Sequence, residues 1–297
     1  MRTRRLDGWL LKKFDLEQDK SVLNNIHEAL FHALEVLASL LKAEGIKYWL
    51  DFGTLLGAVR DNDFIPWDDD IDIAILEADK ARFLELVNTR LSDELETFTA
   101  ENCVGLLTPI KLTLRGTRVR ERAFHERGIQ AEDFGLSIDV FTLAPTNIQK
   151  LFLRDKISIF LFQKKWLSVN MKLRYAAREV TLPRLVFWTL MKIIPFSILK
   201  KLHSNSIRRV YSRSETDEML RYTADCPFYN NAIAKEVIFS TKLIKFRGKY
   251  FNSPNYEKEL LCAHYGDSYI EPPQENHRKS HTLVLKVDST SPFYNFF

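Results

Sequence analysis

Residues 46–73 read IKYWLDFGTLLGAVRDNDFIPWDDDIDI, and this stretch decides the fold. It opens on an apolar run of strand length (46–51) and closes on an alternation of Asp and Ile. In a strand, side chains at i and i+2 share a face. Asp70 and Asp72 therefore project together, while Ile71 and Ile73 point into a core. Two carboxylates held close on a rigid strand repel unless a cation sits between them. Hard oxygen ligands select Mg²⁺, Mn²⁺ or Ca²⁺ over zinc. A solvated acidic loop, the ordinary reading of an Asp run, leaves the alternation with Ile unexplained. An EF-hand is excluded, because its loop glycine and closing glutamate are missing. Of the neighbouring acids Asp68 and Asp69, one is expected to order the loop and the other to be solvated.

Outward from the acids, Gly53-Thr54 starts a short helix, LLGAVR, ended by the loop DNDFIPW. Pro66 biases the chain out of helix there. A glycine on a strand-to-helix turn lets a phosphate approach the backbone, and the helix N-terminus offers N–H groups to it. Alone, Gly-Thr reads as a turn with an N-cap. Its position directly ahead of the acids makes it a candidate phosphate seat. Asp139, in the apolar run SIDVF, is a lone acid in a strand bound for the core. Such an acid must be paired or bind a metal. Beside Asp70 and Asp72 it becomes a candidate third ligand or general base. Arg60 is a candidate phosphate ligand, with an ion pair to Asp61, Asp63 or Asp69 as the alternative. Lys111, alone on an apolar strand, is a second one unless it snorkels to the surface.

The rest of the chain fits a mixed α/β or α+β unit. An i, i+3/i+4 apolar pattern predicts a helix over 21–44, stopped by Gly45. Strands are predicted at 46–51, 70–76, 106–116 and 134–143, with a helix over roughly 77–90. KLIKFRGKYF reads as two strands turning at Arg247-Gly248, YEKELLCAHYG as a helix, and EPPQENHRKSH as a polar tail. There Arg278 and His281 stand i, i+3 and are expected to share a helical face. His264 to Asp267 are expected to end the preceding helix and support the site from behind. Trp49 and Trp67 flank the acid motif as core residues, or stack on a base or a cationic headgroup.

Charge is segregated. The chain carries +4 overall, but residues 150–213 hold 15 Lys/Arg against Asp155 and Glu179, a local +13 that leaves −9 elsewhere. One surface should face something anionic while another gathers carboxylates. The basic segment is helical in pattern and greasy, yet charges and Pro195 interrupt every stretch that approaches membrane-spanning length. Three cysteines without a CxxC pair (Cys103, Cys226, Cys262) argue for a reducing compartment and buried thiols. The basic N-terminus lacks a signal peptide's apolar region, so a cytoplasmic protein is expected.

Together these motifs resemble the nucleotidyltransferase fold. More narrowly, YWLDFGTLLGAVRDNDFIPWDDDIDI, with SIDVFTLAP and the terminal YGDSYIEPPQENHRKSH, resembles the LicD family, itself similar to the catalytic regions of fukutin and fukutin-related protein. Where that family often has His-Lys-Gly before Phe-Ile-Pro-Trp, this chain has Asp61-Asn62-Asp63. The resemblance implies one α+β catalytic domain over 1–297, with its core in about 20–145 and 216–290 and a basic helical insertion at about 146–215. It implies transfer of phosphocholine or a related phospho-alcohol from a CDP-linked donor, such as CDP-choline, to a glycan or glycolipid hydroxyl of the lipopolysaccharide or teichoic-acid type.

On this reading Asp70, Asp72 and Asp139 are the catalytic metal ligands for Mg²⁺ or Mn²⁺. Gly53, Thr54, Arg60 and Lys111 bind phosphate, and Trp67, Arg278 and His281 contact substrate. Three alternatives stay open: a glycosyltransferase using Asp-x-Asp and a nucleotide sugar, nucleotidyl transfer to a small substrate, and a membrane-surface binding module. A peripheral place at the inner face of the plasma membrane suits the basic segment. No nucleic-acid motif accompanies it, so no nucleic-acid partner is expected.

Overall fold

The computed structural model describes residues 4–6, 9–16, 21–99, 109–122, 134–147, 152–158, 160–161, 182–211, 218–223 and 232–297. Cys103, Cys226, residues 106–108 of one predicted strand and residues 162–181 of the basic segment lie outside them.

Helix α1 (Val22–Ala43) buries one continuous stripe, with Ile26, Leu30, Leu34, Leu37 and Leu41 fully inaccessible. Each such side chain contributes roughly 1.5–3 kcal/mol by leaving water. Gly45, at φ +68°, takes the left-handed turn that ends the helix and that a side chain would strain. The chain then enters β3 (Tyr48–Leu50), turns into α2 (Phe52–Arg60) and returns as β4 (Ile71–Leu76), antiparallel to β3. The predicted helix over 77–90 divides into a 3₁₀ turn (Glu77–Asp79) and α3 (Lys80–Arg90).

Strands β5 (Leu95–Thr99), β6 (Ile110–Leu114), β8 (Ser137–Pro145), β9 (Met219–Tyr222) and β10 (Ile233–Ala234) complete a seven-stranded mixed sheet with β3 and β4. Strand β8 is its centre. One edge pairs in parallel with β4, and the other takes β6 along its first half and β9 along its second, both antiparallel. That double pairing explains why residues 137–144 are all buried.

A second sheet was not predicted. It joins β1 (Arg4–Leu6), β2 (Trp9–Asp15), β13 (Thr282–Asp288) and β7 (Thr117–Glu121), so that the two ends of the chain pair with each other. The basic start of the chain is a strand there, and β13 fixes the tail that precedes it. A hairpin, β11 (Lys242–Phe246) and β12 (Lys249–Ser253), turns at Arg247-Gly248 as expected, with φ +48° and +84°. The basic segment supplies α4 (Leu182–Ile193) and α5 (Phe196–Val210), and α6 (Glu257–Tyr265) leads into the tail. The result is an α+β architecture around a mixed sheet. Among the described residues, no helix is long and apolar enough to cross a membrane.

Candidate active site

Register builds the acid cluster. Asp72 lies opposite Asp139 across the parallel pair β4–β8, and Lys111 lies opposite Asp139 across the antiparallel pair β6–β8. Three charged residues thus form a row across three central strands. Like charges facing each other are destabilising on a sheet. Lys111 offsets part of this with an ion pair to Asp139 Oδ1 at 2.7 Å and a hydrogen bond to Ser137 Oγ at 2.9 Å. Asp70 stands one residue before β4. Single carboxylate oxygens of Asp70, Asp72 and Asp139 lie within 4.8 Å of one another. A second group, Asp68, Asp70 and the His281 ring, meets the same limit and shares Asp70.

Burial raises the carboxyl of Asp70 to about 6, with Asp139 and Asp69 adding repulsion and His281 opposing it. Burial, then Asp70 and its neighbours, also push Asp72 and Asp68 well above the ordinary carboxylate range. Burial works against the Lys111 ammonium, but Asp139 and Glu121 beside it hold it above its usual value. The donor set is therefore hard oxygen, partly buried, and short of positive charge. These residues fit a divalent cation such as Mg²⁺.

The Gly-Thr turn serves the acids directly. Asp51 is the N-cap of α2 and accepts from the Phe52 N–H. Gly53 N–H donates to Asp72 Oδ2 at 3.0 Å, and Thr54 Oγ1 accepts from Asp72 N–H at 2.8 Å. A Cβ on Gly53 would meet Asp68 Oδ2 at 2.6 Å, so only glycine lets that carboxylate approach. Thr54 is buried behind the cavity wall. The expected phosphate grip by its hydroxyl gives way to a tie on the backbone of a candidate ligand.

The acids line a cavity of about 670 Å³. Gly53, Asp68, Asp70, Asp72 and Asp139 form its polar floor, and Phe52, Trp67, Phe141, Tyr265 and Tyr269 stand in its walls. Arg60 also lines it, in an ion pair with Asp61 at 2.9 Å and with its guanidinium 5.9 Å from the Trp67 ring. Arg278 approaches the same ring at 5.5 Å. Trp67 thus carries two guanidiniums and is no bare cage for a cationic headgroup.

The tail reaches the site without a shared helical face. A single 3₁₀ turn covers Glu275–His277, Arg278 leaves it at ψ 71°, and His281 immediately precedes β13. Pairing of β13 with β2 and β7 delivers the tail instead. Asp69 accepts from the N–H groups of His281 at 3.0 Å and Thr282 at 2.7 Å, and so is the loop-ordering acid. Asp68, expected to be solvated if Asp69 ordered the loop, faces the cavity instead.

Beyond the support expected of His264, three contributions, from His27, Glu121 and Tyr222, went unread in the sequence. His27, on the buried stripe of α1, makes a 2.7 Å hydrogen bond with the Asp68 carbonyl and stacks on Phe64. Glu121 of β7 is raised above its usual value by burial and adds acid beside Lys111 and Asp139. Behind α2, Tyr222 donates to Asp51 Oδ2 at 2.5 Å, and His264 Nε2 lies 3.1 Å from Asp51 Oδ1. The His264 ring stacks on Phe52, whose φ of +39° is unusual for a bulky residue. His264 thus supports the site from behind, through a network that joins β9, α6 and the start of α2. Periodicity carries no signal for such pairs, since they are 42 to 213 residues apart.

Residues 45–184 match the LicD/FKTN/FKRP nucleotidyltransferase domain, a span that contains α2, β4, β6 and β8. The lipopolysaccharide cholinephosphotransferase LicD of Haemophilus influenzae is 25% identical over 278 residues, covering 91% of this chain and 97% of the relative. The ribitol 5-phosphate transferase FKRP of Homo sapiens is 47% identical over 47 residues, which are 16% of this chain and 10% of that protein. Over residues 45–184, and more weakly along most of its length, the chain is similar to the LicD family.

Proposed function

We propose that this protein transfers a phospho-alcohol, phosphocholine or a relative of it, from a CDP-linked donor to a hydroxyl of a cell-surface glycan or glycolipid. The observation that carries this reading is the set Asp70, Asp72 and Asp139, whose carboxylates converge at the floor of a cavity large enough for a nucleotide donor. The named relatives support the class of group moved: one is a lipopolysaccharide cholinephosphotransferase, the other a ribitol 5-phosphate transferase.

Asp70, Asp72 and Asp139 would hold Mg²⁺ or Mn²⁺. When bound, the ion supplies positive charge to the donor's pyrophosphate and to the departing CMP. The protein's own groups do the rest. The acceptor oxygen attacks the phosphorus that bears the alcohol, the bond to the bridging oxygen breaks, and CMP leaves with the electron pair. Asp139, fixed by Lys111, orients the acceptor hydroxyl and takes its proton. Arg60 and Arg278, gathered on Trp67 at the cavity wall, face the donor's phosphates. Thr54 and Gly53 hold Asp72 in place.

The test is a product analysis with CDP-choline and CDP-ribitol, an acceptor glycan and Mg²⁺. Release of CMP with transfer to glycan, abolished by EDTA, is the expected result. Release of pyrophosphate would instead mark nucleotidyl transfer, and turnover of nucleotide sugars alone would mark a glycosyltransferase.

A further inference from the structure

Among the described residues, the helical segment between β8 and β9 contributes no side chain to the acid-lined cavity, and its described surface is unlike the rest of the molecule. Among the described residues, nine of the 14 exposed large hydrophobic side chains fall between positions 152 and 202. On α4, Val186, Leu190 and Ile193 follow i, i+4, i+7 and so form a single stripe, with Ile193 72% exposed. Leu153, 73% exposed, and Ile198 and Leu202 of α5 extend the apolar surface. Exposed aliphatics at this density are uncommon on a water-facing surface.

The same segments carry exposed cations, including Lys156, Lys200, Lys201 and Arg208. Of the two acids between 150 and 213, Asp155 is buried and paired with Arg209 at 2.6 Å, so it neutralises nothing outside. That pair ties the helical residues 153–158 to α5, and Phe160 contacts Phe187 of α4. Thr146, following β8, donates to the carbonyl of Val210 at the end of α5. The segments are thus linked to one another and fastened to the central sheet.

We propose that this surface, formed by residues 152–158 and 160–161, α4 and α5, docks on an anionic lipid bilayer, with the helices lying in the interface. Aliphatic side chains beside lysines match acyl chains beneath acidic headgroups. A nucleic acid satisfies the cations but offers nothing to Leu190 and Ile193. A second copy of the chain would bring two strongly cationic surfaces together. No described helix is long and apolar enough to cross the bilayer.

The experiment is flotation of the full chain with phosphatidylcholine vesicles, with and without phosphatidylglycerol, at low and high salt. Binding should require the anionic lipid and weaken with salt. Lys200→Ser with Lys201→Ser should lower partitioning by roughly 30-fold. Leu190→Ser with Ile193→Ser should lower it by at least tenfold even at low salt. All these side chains are exposed, so unchanged circular dichroism and melting temperature serve as the folding control. No binding to anionic vesicles at low salt overturns the proposal, as does equal binding by wild type and both variants. So does a dimer in sedimentation velocity that the Leu190/Ile193 variant loses, since a second copy then covers the face.

Discussion

Asp72 and Asp139 stand directly opposite each other on neighbouring parallel strands at the centre of the sheet. A sheet selected for stability alone would not place two partly buried carboxylates there. With Lys111 next in the row and Asp70 at the strand entrance, the arrangement suits a bound cation better than an empty core.

Removing one carboxylate should therefore separate activity from folding. Asp72→Asn and Asp139→Asn should each lower kcat by at least about 100-fold, the scale for losing a group that organises transition-state charge. Asp72→Asn should melt no lower than wild type without metal, because one member of a repelling cluster is neutral. Turnover assays paired with thermal denaturation check both halves.

The metal response should depend on pH with a definite sign. Asp70 is raised to about 6, and Asp68 and Asp72 are raised well above their usual values, chiefly by burial. Groups raised in the folded state contribute stability below the unfolded pKa near 4, and that contribution is lost as pH rises through the folded values. Without metal the protein should lose this contribution between about pH 5 and 7. The melting-temperature gain from Mg²⁺ should grow over the same window, where protons no longer compete for the oxygens. Scanning fluorimetry with and without Mg²⁺ at about pH 5 and 7.5 reads it; an equal gain at both would count against the cluster.

Thr54 should behave as a positioning residue. Thr54→Val removes the acceptor for the buried Asp72 N–H and should cost about 1–3 kcal/mol of stability, together with much of kcat. Thr54→Ser keeps the oxygen and should retain most of both. Gly53→Ala should impair turnover by displacing Asp68, against which its Cβ would lie at 2.6 Å. Urea denaturation and steady-state kinetics on the three variants distinguish these outcomes.

The network behind α2 should act through geometry. Tyr222→Phe takes a donor from Asp51, which caps the helix that presents Gly53 to Asp72. It should destabilise by about 1–3 kcal/mol and lower kcat more than it raises KM. A KM effect alone would place Tyr222 in substrate binding instead.

The acid-bearing strand was legible because its signal is local. Alternation of Asp and Ile over four residues fixes which side chains share a face, and the structure keeps Ile71 and Ile73 wholly buried. The helices at 22–43 and 257–265 and the turn at Arg247-Gly248 were readable for the same reason. What escaped is long-range. Pairing of β2 with β13 joins residues 269 to 277 apart, and it places His281 against Asp69 where a helical spacing had been expected to place it beside Arg278. Likewise the hydroxyl of Thr54 was expected to grip a phosphate and His27 carried no reading at all, and only the folded chain shows each holding the backbone of an acid.

Binding of Mn²⁺, followed by its electron paramagnetic resonance signal during titration, tests the central claim most directly. The wild-type protein should take up the ion, Mg²⁺ should compete for it, and Asp72→Asn with Asp139→Asn should abolish uptake while the protein stays folded. Undiminished Mn²⁺ binding by that double variant, or none by the wild type, would contradict the assignment of Asp70, Asp72 and Asp139 as a metal centre.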